Sequence, residues 1–183
     1  MLNKLILRTF LSITLAISFI GISNATLISQ DILDEGNIIG NITIDIDNAI
    51  EWDINDYYVE SFVSFNIFNI EMLDYTDSNL DNPLFEAHFN DSDLNAGLLT
   101  LDFDLNDVFG AFAWNGLITD SSYWVDPIMN ENTLDVFDSA NTIAFFSDQI
   151  TFGDATVDVP EPSVLILFLT GLVAFSARRK VSK

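Results

Sequence analysis

The feature that most constrains the fold is a two-residue alternation of apolar and polar side chains between residues 26 and 159. From Ile42 to Asp47, isoleucine alternates with Thr or Asp, and similar alternation runs over 85–90 and 99–105. Side chains in an extended strand point to opposite faces in turn, so alternation is typical of strands with one buried and one wet face. The pattern therefore predicts a β-domain.

Further strands are predicted at 57–70, 109–118, 133–138, 141–146 and 149–158. The range 57–70 is expected to be one long strand, bulged or central in its sheet. Clusters of Asp, Asn, Ser and Gly between the strands predict turns, among them Gly153-Asp154. We find no convincing helix pattern between 26 and 159. Short strands at this spacing favour an all-β fold, a single antiparallel β-sandwich or jelly-roll-like domain.

The charge of this segment is entirely of one sign. Residues 26–159 contain no Lys or Arg and hold all but one of the chain's 28 acidic residues, Glu161 being the exception. Such a segment has no cation to neutralise phosphates, which excludes nucleic acid as a partner. Self-repulsion should be relieved by salt and more strongly by divalent cations. The chain has no cysteine, so disulfides, thiol catalysis and zinc–thiolate sites are excluded.

The N-terminal residues 1–25 have the three parts of a secretory signal peptide. Lys4 and Arg8 form a positive region, an apolar stretch follows over 10–22, and a small-residue cleavage site ends at Ala25. Cleavage between Ala25 and Thr26 is therefore expected. An uncleaved N-terminal anchor is the alternative, although the apolar stretch is short for a span of about 20 residues.

The C-terminal residues 160–183 combine three features in a fixed order. A proline-rich motif is followed by an apolar run over 164–177 and then by a basic cluster: Pro160, Glu161, Pro162, Ser163, Arg178, Arg179 and Lys180. The run would form about 21 Å of helix, which is short for a hydrocarbon core of about 30 Å. The basic cluster should remain cytoplasmic. We expect a transient membrane stop that leaves residues 26–159 outside the cytoplasm.

This tail resembles the PEP-CTERM sorting signal of Gram-negative bacteria. The resemblance implies that an exosortase in the inner membrane recognises the tail and cleaves near Pro160–Pro162. It further implies an inner-membrane intermediate, followed by release or transfer to the cell surface or extracellular space. Association with exopolysaccharide and biofilm material is also implied by the resemblance.

One loop has a spacing of oxygen ligands that is suggestive of calcium. Asp91, Asp93, Asn95 and Asp102 follow the ligand spacing of an EF-hand loop. Ala96 occupies the position of the required glycine, and Asp102 falls in a strand pattern, which argues against a true EF-hand. A looser Ca²⁺ site is one interpretation, and a solvated acidic turn is the other.

Several aromatic residues are candidates for a sugar-stacking platform. Trp114, Tyr123 and Trp124, together with Trp52, lie near carboxylates and amides, and the first three occur in loop-like sequence. The alternative is that these rings pack in the core.

Three functional hypotheses follow. The first is a non-enzymatic surface or matrix protein whose acidic domain is bridged by calcium or magnesium. The second is a calcium-dependent carbohydrate-binding module, and the third is a small hydrolase that acts on extracellular polymer. His88, the single histidine, shares a strand face with Glu86 that is expected to be wet, and no nucleophile is defined. We therefore expect that the protein is not an enzyme.

Overall fold

The computed structural model describes residues 25–74, 83–120 and 132–159. Residues Ala25–Asp158 form one compact unit. Apart from Ala25, the predicted signal peptide lies outside the described residues, as does the predicted sorting tail at 160–183. Within the described ranges, no helix is long and apolar enough to cross a membrane.

Twelve strands and one short 3₁₀ turn, Leu94–Ala96, make up the described secondary structure. The strands, in chain order, are β1 (Leu27–Asp34), β2 (Asn37–Asp45), β3 (Ile50–Asp53), β4 (Asp56–Val59), β5 (Ser64–Ile67), β6 (Ile70–Glu71), β7 (Leu84–Asn90), β8 (Leu98–Asn106), β9 (Phe112–Thr119), β10 (Thr133–Asp138), β11 (Ile143–Ser147) and β12 (Ile150–Asp158).

The strands form two antiparallel sheets that pack face to face. The smaller sheet has the order β12-β1-β2-β5-β6, and the larger sheet has the order β11-β10-β9-β8-β7-β4-β3. The prediction of an all-β antiparallel sandwich is therefore confirmed. Sequential hairpins build the larger sheet from β7 to β11, which agrees with the turn-separated strands seen in the sequence.

The alternation in sequence becomes alternation in burial. On β7, Phe85, Ala87 and Phe89 are buried, whereas the residues between them are only partly covered. Aromatic rings join the two sheets across the core, since Phe65 of β5 meets Phe103 of β8 edge to face at 4.9 Å between ring centroids. Edge-to-face pairs of this kind add stability beyond the area that they bury.

The first hairpin turn has the backbone that its sequence favours. Glu35 and Gly36 connect β1 to β2 with φ values of 49° and 79°. Two-residue hairpin turns commonly need positive φ at both central positions because this matches the twist of the strands. Glycine adopts this conformation without strain, which explains its use at position 36.

The prediction of one long strand over 57–70 is wrong. The chain forms β4 in the larger sheet, crosses the sandwich over residues 60–63, and continues as β5 and β6 in the smaller sheet. Phe68 and Asn69, with φ values of 53° and 60°, make the turn between β5 and β6. Both halves bury apolar side chains in the same core, so the apolar pattern continues across the change of sheet.

The prediction of a turn at Gly153-Asp154 is also wrong, because both residues lie inside β12. The pairing of β1 with β12 is irregular between Gln30 and Ile32. There the Gln30 amide donates a hydrogen bond to the Gly153 carbonyl at 2.9 Å, and its oxygen accepts one from the Leu98 amide at 2.8 Å. The glycine therefore marks an irregular strand pairing, as interior strand glycines often do.

Candidate functional site

Trp114 is a core residue, contrary to the expectation of a surface platform. It lies within β9, is 2% exposed, and packs near Phe112 and Phe68. Its indole nitrogen donates to Asp107 at 3.4 Å. A buried ring has no face to offer a sugar, so the platform interpretation is wrong for Trp114. Tyr123 and Trp124 lie outside the described residues.

The loop-like appearance of Trp114-Asn115-Gly116 has a packing explanation. Gly116 stands opposite Phe103 in the β8–β9 pair, and a Cβ at position 116 would collide with the Phe103 ring. The glycine therefore makes room for an aromatic ring in the core. It does not mark a turn.

The four predicted calcium ligands are not brought together. Asp91, Asp93 and Asn95 are exposed in the turn between β7 and β8, whereas Asp102 lies within β8 opposite Glu86. Asp102 lies four positions after Leu98 on β8, which is roughly 13 Å along the strand. Among the described residues, no group of three or more His or acidic side chains is arranged to hold a metal ion. Calcium binding itself stays a prediction.

A different cluster forms on the outer side of the larger sheet, beside its edge strand β3. We call it the Trp52 face. Residues directly opposite in an antiparallel pair share a face. Ring contacts with Tyr58 and His88 place Trp52 of β3 there. The pairings of β4, β7 and β8 add Asp56, Tyr58, Glu86, His88, Thr100, Asp102 and Asp104.

The aromatic part of the Trp52 face is a tight group of three rings. Tyr58 stacks on His88 with ring centroids 5.4 Å apart, and Trp52 meets both rings edge to face at 6.0 Å. Trp52 is 68% exposed, whereas the His88 side chain is 12% exposed. The histidine thus lies on the outer face, as predicted, but Tyr58 and Trp52 shield it from water.

His88 is held by carboxylates on both sides. Its Nδ1 lies 3.1 Å from an Asp56 oxygen, and its Nε2 lies 3.9 Å from a Glu86 oxygen. An ionised carboxylate is only an acceptor, so the Nδ1 hydrogen is donated to Asp56. This bond fixes the ring orientation from the neighbouring strand β4.

Two further carboxylates of this face are partly removed from water. Burial raises the pKa of Asp102, the negative charges of Glu86 and Asp104 raise it further, and His88 lowers it. Burial also raises the pKa of Asp104, while a hydrogen bond from Asn115 lowers it. Both groups therefore bear their charge in an unfavourable setting, which a cation nearby would improve.

Thr100 adds an unsatisfied hydroxyl. It lies opposite His88 in the β7–β8 pair and is 9% exposed, and its Oγ1 is buried without a hydrogen-bond partner. Buried polar atoms in proteins are nearly always paired. An unpaired buried hydroxyl therefore needs an explanation, and a ligand that bonds to it is one.

This combination of groups suits some ligands and disfavours others. An exposed indole beside carboxylate acceptors can stack on a sugar ring and accept hydrogen bonds from its hydroxyl or amine groups. Anionic groups would meet like charge, because no Lys or Arg occurs between 26 and 159. The sequence pattern placed Glu86 and His88 on one face, but nothing in it connected them to Trp52 and Tyr58 on β3 and β4.

A shallow cleft lies beside the same edge of the sheet. Its volume is about 410 Å³, and its lining includes the start of β3, the end of β4 and several acidic or amide side chains: Asp45, Asn48, Ile50, Val59, Glu60, Ser61 and Asp74. Asp45 belongs to β2 of the smaller sheet and Val59 to the core, so the cleft is separate from the outer Trp52 face.

Comparison with known proteins identifies the C-terminal segment. The sequence profile of the PEP-CTERM protein-sorting motif matches residues 158–180. No curated protein and no solved structure is significantly similar to the chain. The match confirms the resemblance seen in the proline motif, the apolar run and the basic cluster.

A PEP-CTERM motif directs an exported protein to the cell envelope or surface through a transient interaction with exosortase. The chain therefore carries a PEP-CTERM sorting motif at residues 158–180, which supports an exported protein that is sorted by exosortase.

Proposed function

We propose that this protein is a non-enzymatic component of the cell surface or extracellular matrix that associates with exopolysaccharide, as in a biofilm. The observation that carries the proposal is the PEP-CTERM motif at 158–180, which follows a β-sandwich whose segment 26–159 has no Lys or Arg. The sorting motif supports export, and a domain without Lys or Arg is suited to remain soluble and hydrated in a polymer matrix.

The route begins with the predicted signal peptide at 1–25, which would be cut after Ala25. The apolar run at 164–177 then holds an inner-membrane intermediate, with Arg178–Lys180 on the cytoplasmic side. Exosortase cleaves near Pro160–Pro162. Proline disfavours helix at the residue before it, and a protease substrate needs a non-helical segment at the cleavage site, so the two prolines suit this role.

Divalent cations act as bridges between acidic domains and other matrix components in this proposal. Calcium or magnesium would be shared among surface carboxylates, because Asp91, Asp93, Asn95 and Asp102 are not gathered into one site. The support is the unmixed negative charge of residues 26–159.

A second candidate function is a carbohydrate-binding module. The specific observation in its favour is Trp52, which is 68% exposed beside Tyr58 and His88 and close to the carboxylates of the same face. This moves the candidate sugar platform from Trp114 to the Trp52 face.

The proposed function is tested by fractionating cells that express the tagged protein. We expect the processed protein in the extracellular polysaccharide fraction and its release when that polymer is degraded enzymatically. Replacing Pro160, Glu161 and Pro162 by Ala should trap an unprocessed, membrane-associated form. Full-length protein in the cytoplasm would refute the proposal. A processed protein in the medium that never co-fractionates with polysaccharide would refute the matrix association alone.

A further inference from the structure

We propose that the Trp52 face binds amino sugars that carry a free ammonium group, such as units of a polysaccharide containing unacetylated hexosamine. The inference rests on the proposed polysaccharide association and names the class of ligand. It is carried by the charge of this face, by the exposed indole beside it, and by a buried hydroxyl without a partner.

The first argument is charge complementarity. Asp56, Glu86, Asp102 and Asp104 share the face, and the cationisable group among its residues, His88, is already bonded to Asp56. No Lys or Arg between 26 and 159 is available to pair Glu86, Asp102 and Asp104. An ammonium group would compensate them, whereas a uronate or sulfate group would add repulsion.

The partial burial of the carboxylates strengthens this preference. Asp102 lies opposite Glu86 across the β7–β8 pair, so two acids of the same sign stand side by side on the sheet. One cation placed between them forms two attractive contacts, which offset the repulsion between the two carboxylates. A neutral, N-acetylated sugar offers hydrogen bonds but no such charge compensation.

The second argument is the position of Trp52. Its ring meets Tyr58 and His88 edge to face on the edge strand β3, and 68% of the residue remains exposed. An indole face attracts cations through the ring quadrupole within about 6 Å and also stacks on the apolar face of a sugar. Ammonium and pyranose ring are therefore recognised by the same side chain.

The third argument is Thr100, the buried hydroxyl without a hydrogen-bond partner. It lies opposite His88 and two residues before Asp102 on the same face of the sheet. Because this atom is covered in the free protein, a ligand hydroxyl bonds to it only when the neighbouring side chains move aside, and that bond would relieve the penalty of an unpaired buried polar group. This observation is independent of the acidic cluster and favours a ligand with several hydroxyls over a bare cation.

The test measures binding of the full chain, purified in mild detergent, to three soluble probes by calorimetry at one pH and ionic strength. The probes are oligomers of glucosamine, N-acetylglucosamine and galacturonate. We expect glucosamine oligomers to bind on the order of tenfold more tightly than N-acetylglucosamine oligomers, which corresponds to about 1.4 kcal/mol. We expect no binding of galacturonate oligomers.

Matched variants separate a site from general attraction to an acidic domain. Glu86→Gln with Asp102→Asn should weaken glucosamine binding on the order of tenfold. Asp154→Asn with Asp158→Asn makes the same change of charge on exposed positions of β12 in the other sheet, and should weaken it by less than about twofold. Trp52→Ala should weaken it by about fivefold, and Trp52→Phe, which keeps a ring, by less.

Each outcome decides between the proposals. Equal weakening by the two double variants would mean unspecific electrostatics and would overturn the inference. Equal binding of acetylated and free amino sugars would overturn the ammonium preference and leave the polysaccharide association standing. No sugar binding together with correct matrix fractionation would likewise overturn the inference alone.

Discussion

At the scale of single residues, burial decides which side chains are available for function. Trp114 and Trp52 are the same residue type, yet Trp114 is 2% exposed and Trp52 is 68% exposed. Asp107 explains part of this difference. Its carboxylate is 1% exposed and accepts hydrogen bonds from the Phe109, Ala111 and Phe112 amides as well as from the Trp114 indole.

We predict that Asp107→Asn destabilises the domain by about 2–3 kcal/mol. The amide replaces one acceptor oxygen by a donor, which leaves at least one buried N–H unpaired. The change is measured by urea unfolding followed by tryptophan fluorescence. Asp158→Asn, at an exposed position, serves as the control and should change stability by less than about 0.5 kcal/mol. Equal stability of the Asp107 variant and the wild type would contradict the role given to this carboxylate.

Asp102 predicts a pH dependence of stability. Its folded-state pKa is raised above the ordinary value of 3.8, mainly by burial, so the folded state holds the proton more tightly than the unfolded state. The stabilisation that comes from this difference in pKa is therefore complete below pH 3.8, where Asp102 is protonated in both states. It is lost as the pH rises through the raised pKa of the folded state.

Asp102→Asn should consequently raise the free energy of unfolding near neutral pH and leave it almost unchanged at the acid end. The measurement is urea unfolding over a pH series for wild type and variant. Asp104→Asn, where burial also raises the pKa, should act in the same direction. A variant that is less stable than the wild type at neutral pH would show that the Asp102 carboxylate makes a net favourable contact.

At the scale of elements, alternation identified most strands, and the exceptions have definite causes. β10 and β12 were predicted within one residue of their observed bounds, whereas β1 was not predicted. Gln30 occupies an inward position of β1 and interrupts its apolar pattern, and its buried amide is satisfied by Gly153 and Leu98. Tertiary hydrogen bonds thus make a polar residue acceptable in the core.

Packing between β8 and β9 gives a prediction for Gly116→Ala. The added methyl group would collide with the Phe103 ring, and overpacking of this kind costs about 1–3 kcal/mol. Phe103→Leu also destabilises by itself, because it removes a buried ring. In the double variant the loss of stability should be smaller than the sum of the two single losses, since leucine makes room for the methyl group. Urea unfolding of all four proteins measures this coupling, and strict additivity would exclude the proposed contact.

At the scale of the whole molecule, the acidic domain folds without any Lys or Arg to compensate its charge. Stability therefore depends on burying the apolar core against mutual repulsion at the surface. The screening length falls from about 10 Å at 0.1 M salt to about 3 Å at 1 M, so repulsion between exposed carboxylates is sensitive to salt over this range.

We predict that the thermal unfolding midpoint rises with sodium chloride and rises further with calcium chloride at equal ionic strength. Sodium mainly screens the carboxylates, whereas calcium also binds and bridges them, and binding to the folded state adds stability. Differential scanning calorimetry of the full chain measures both effects. Equal midpoints in the two salts would reject the proposed calcium bridging, and a midpoint insensitive to either salt would contradict the role of surface repulsion.

The sequence alone determined the β-class, the acidity and the sorting motif, because these depend on local patterns. The alternation of apolar and polar residues indicates which side chains face a core, and the residues of the sorting motif are contiguous in the chain. The tertiary structure decided the rest. It divided the predicted strand 57–70 between two sheets, buried Trp114, separated Asp102 from Asp91, and assembled the Trp52 face from four strands. These outcomes depend on which strands become neighbours, and strand pairing joins residues that are distant in sequence, which periodicity does not encode.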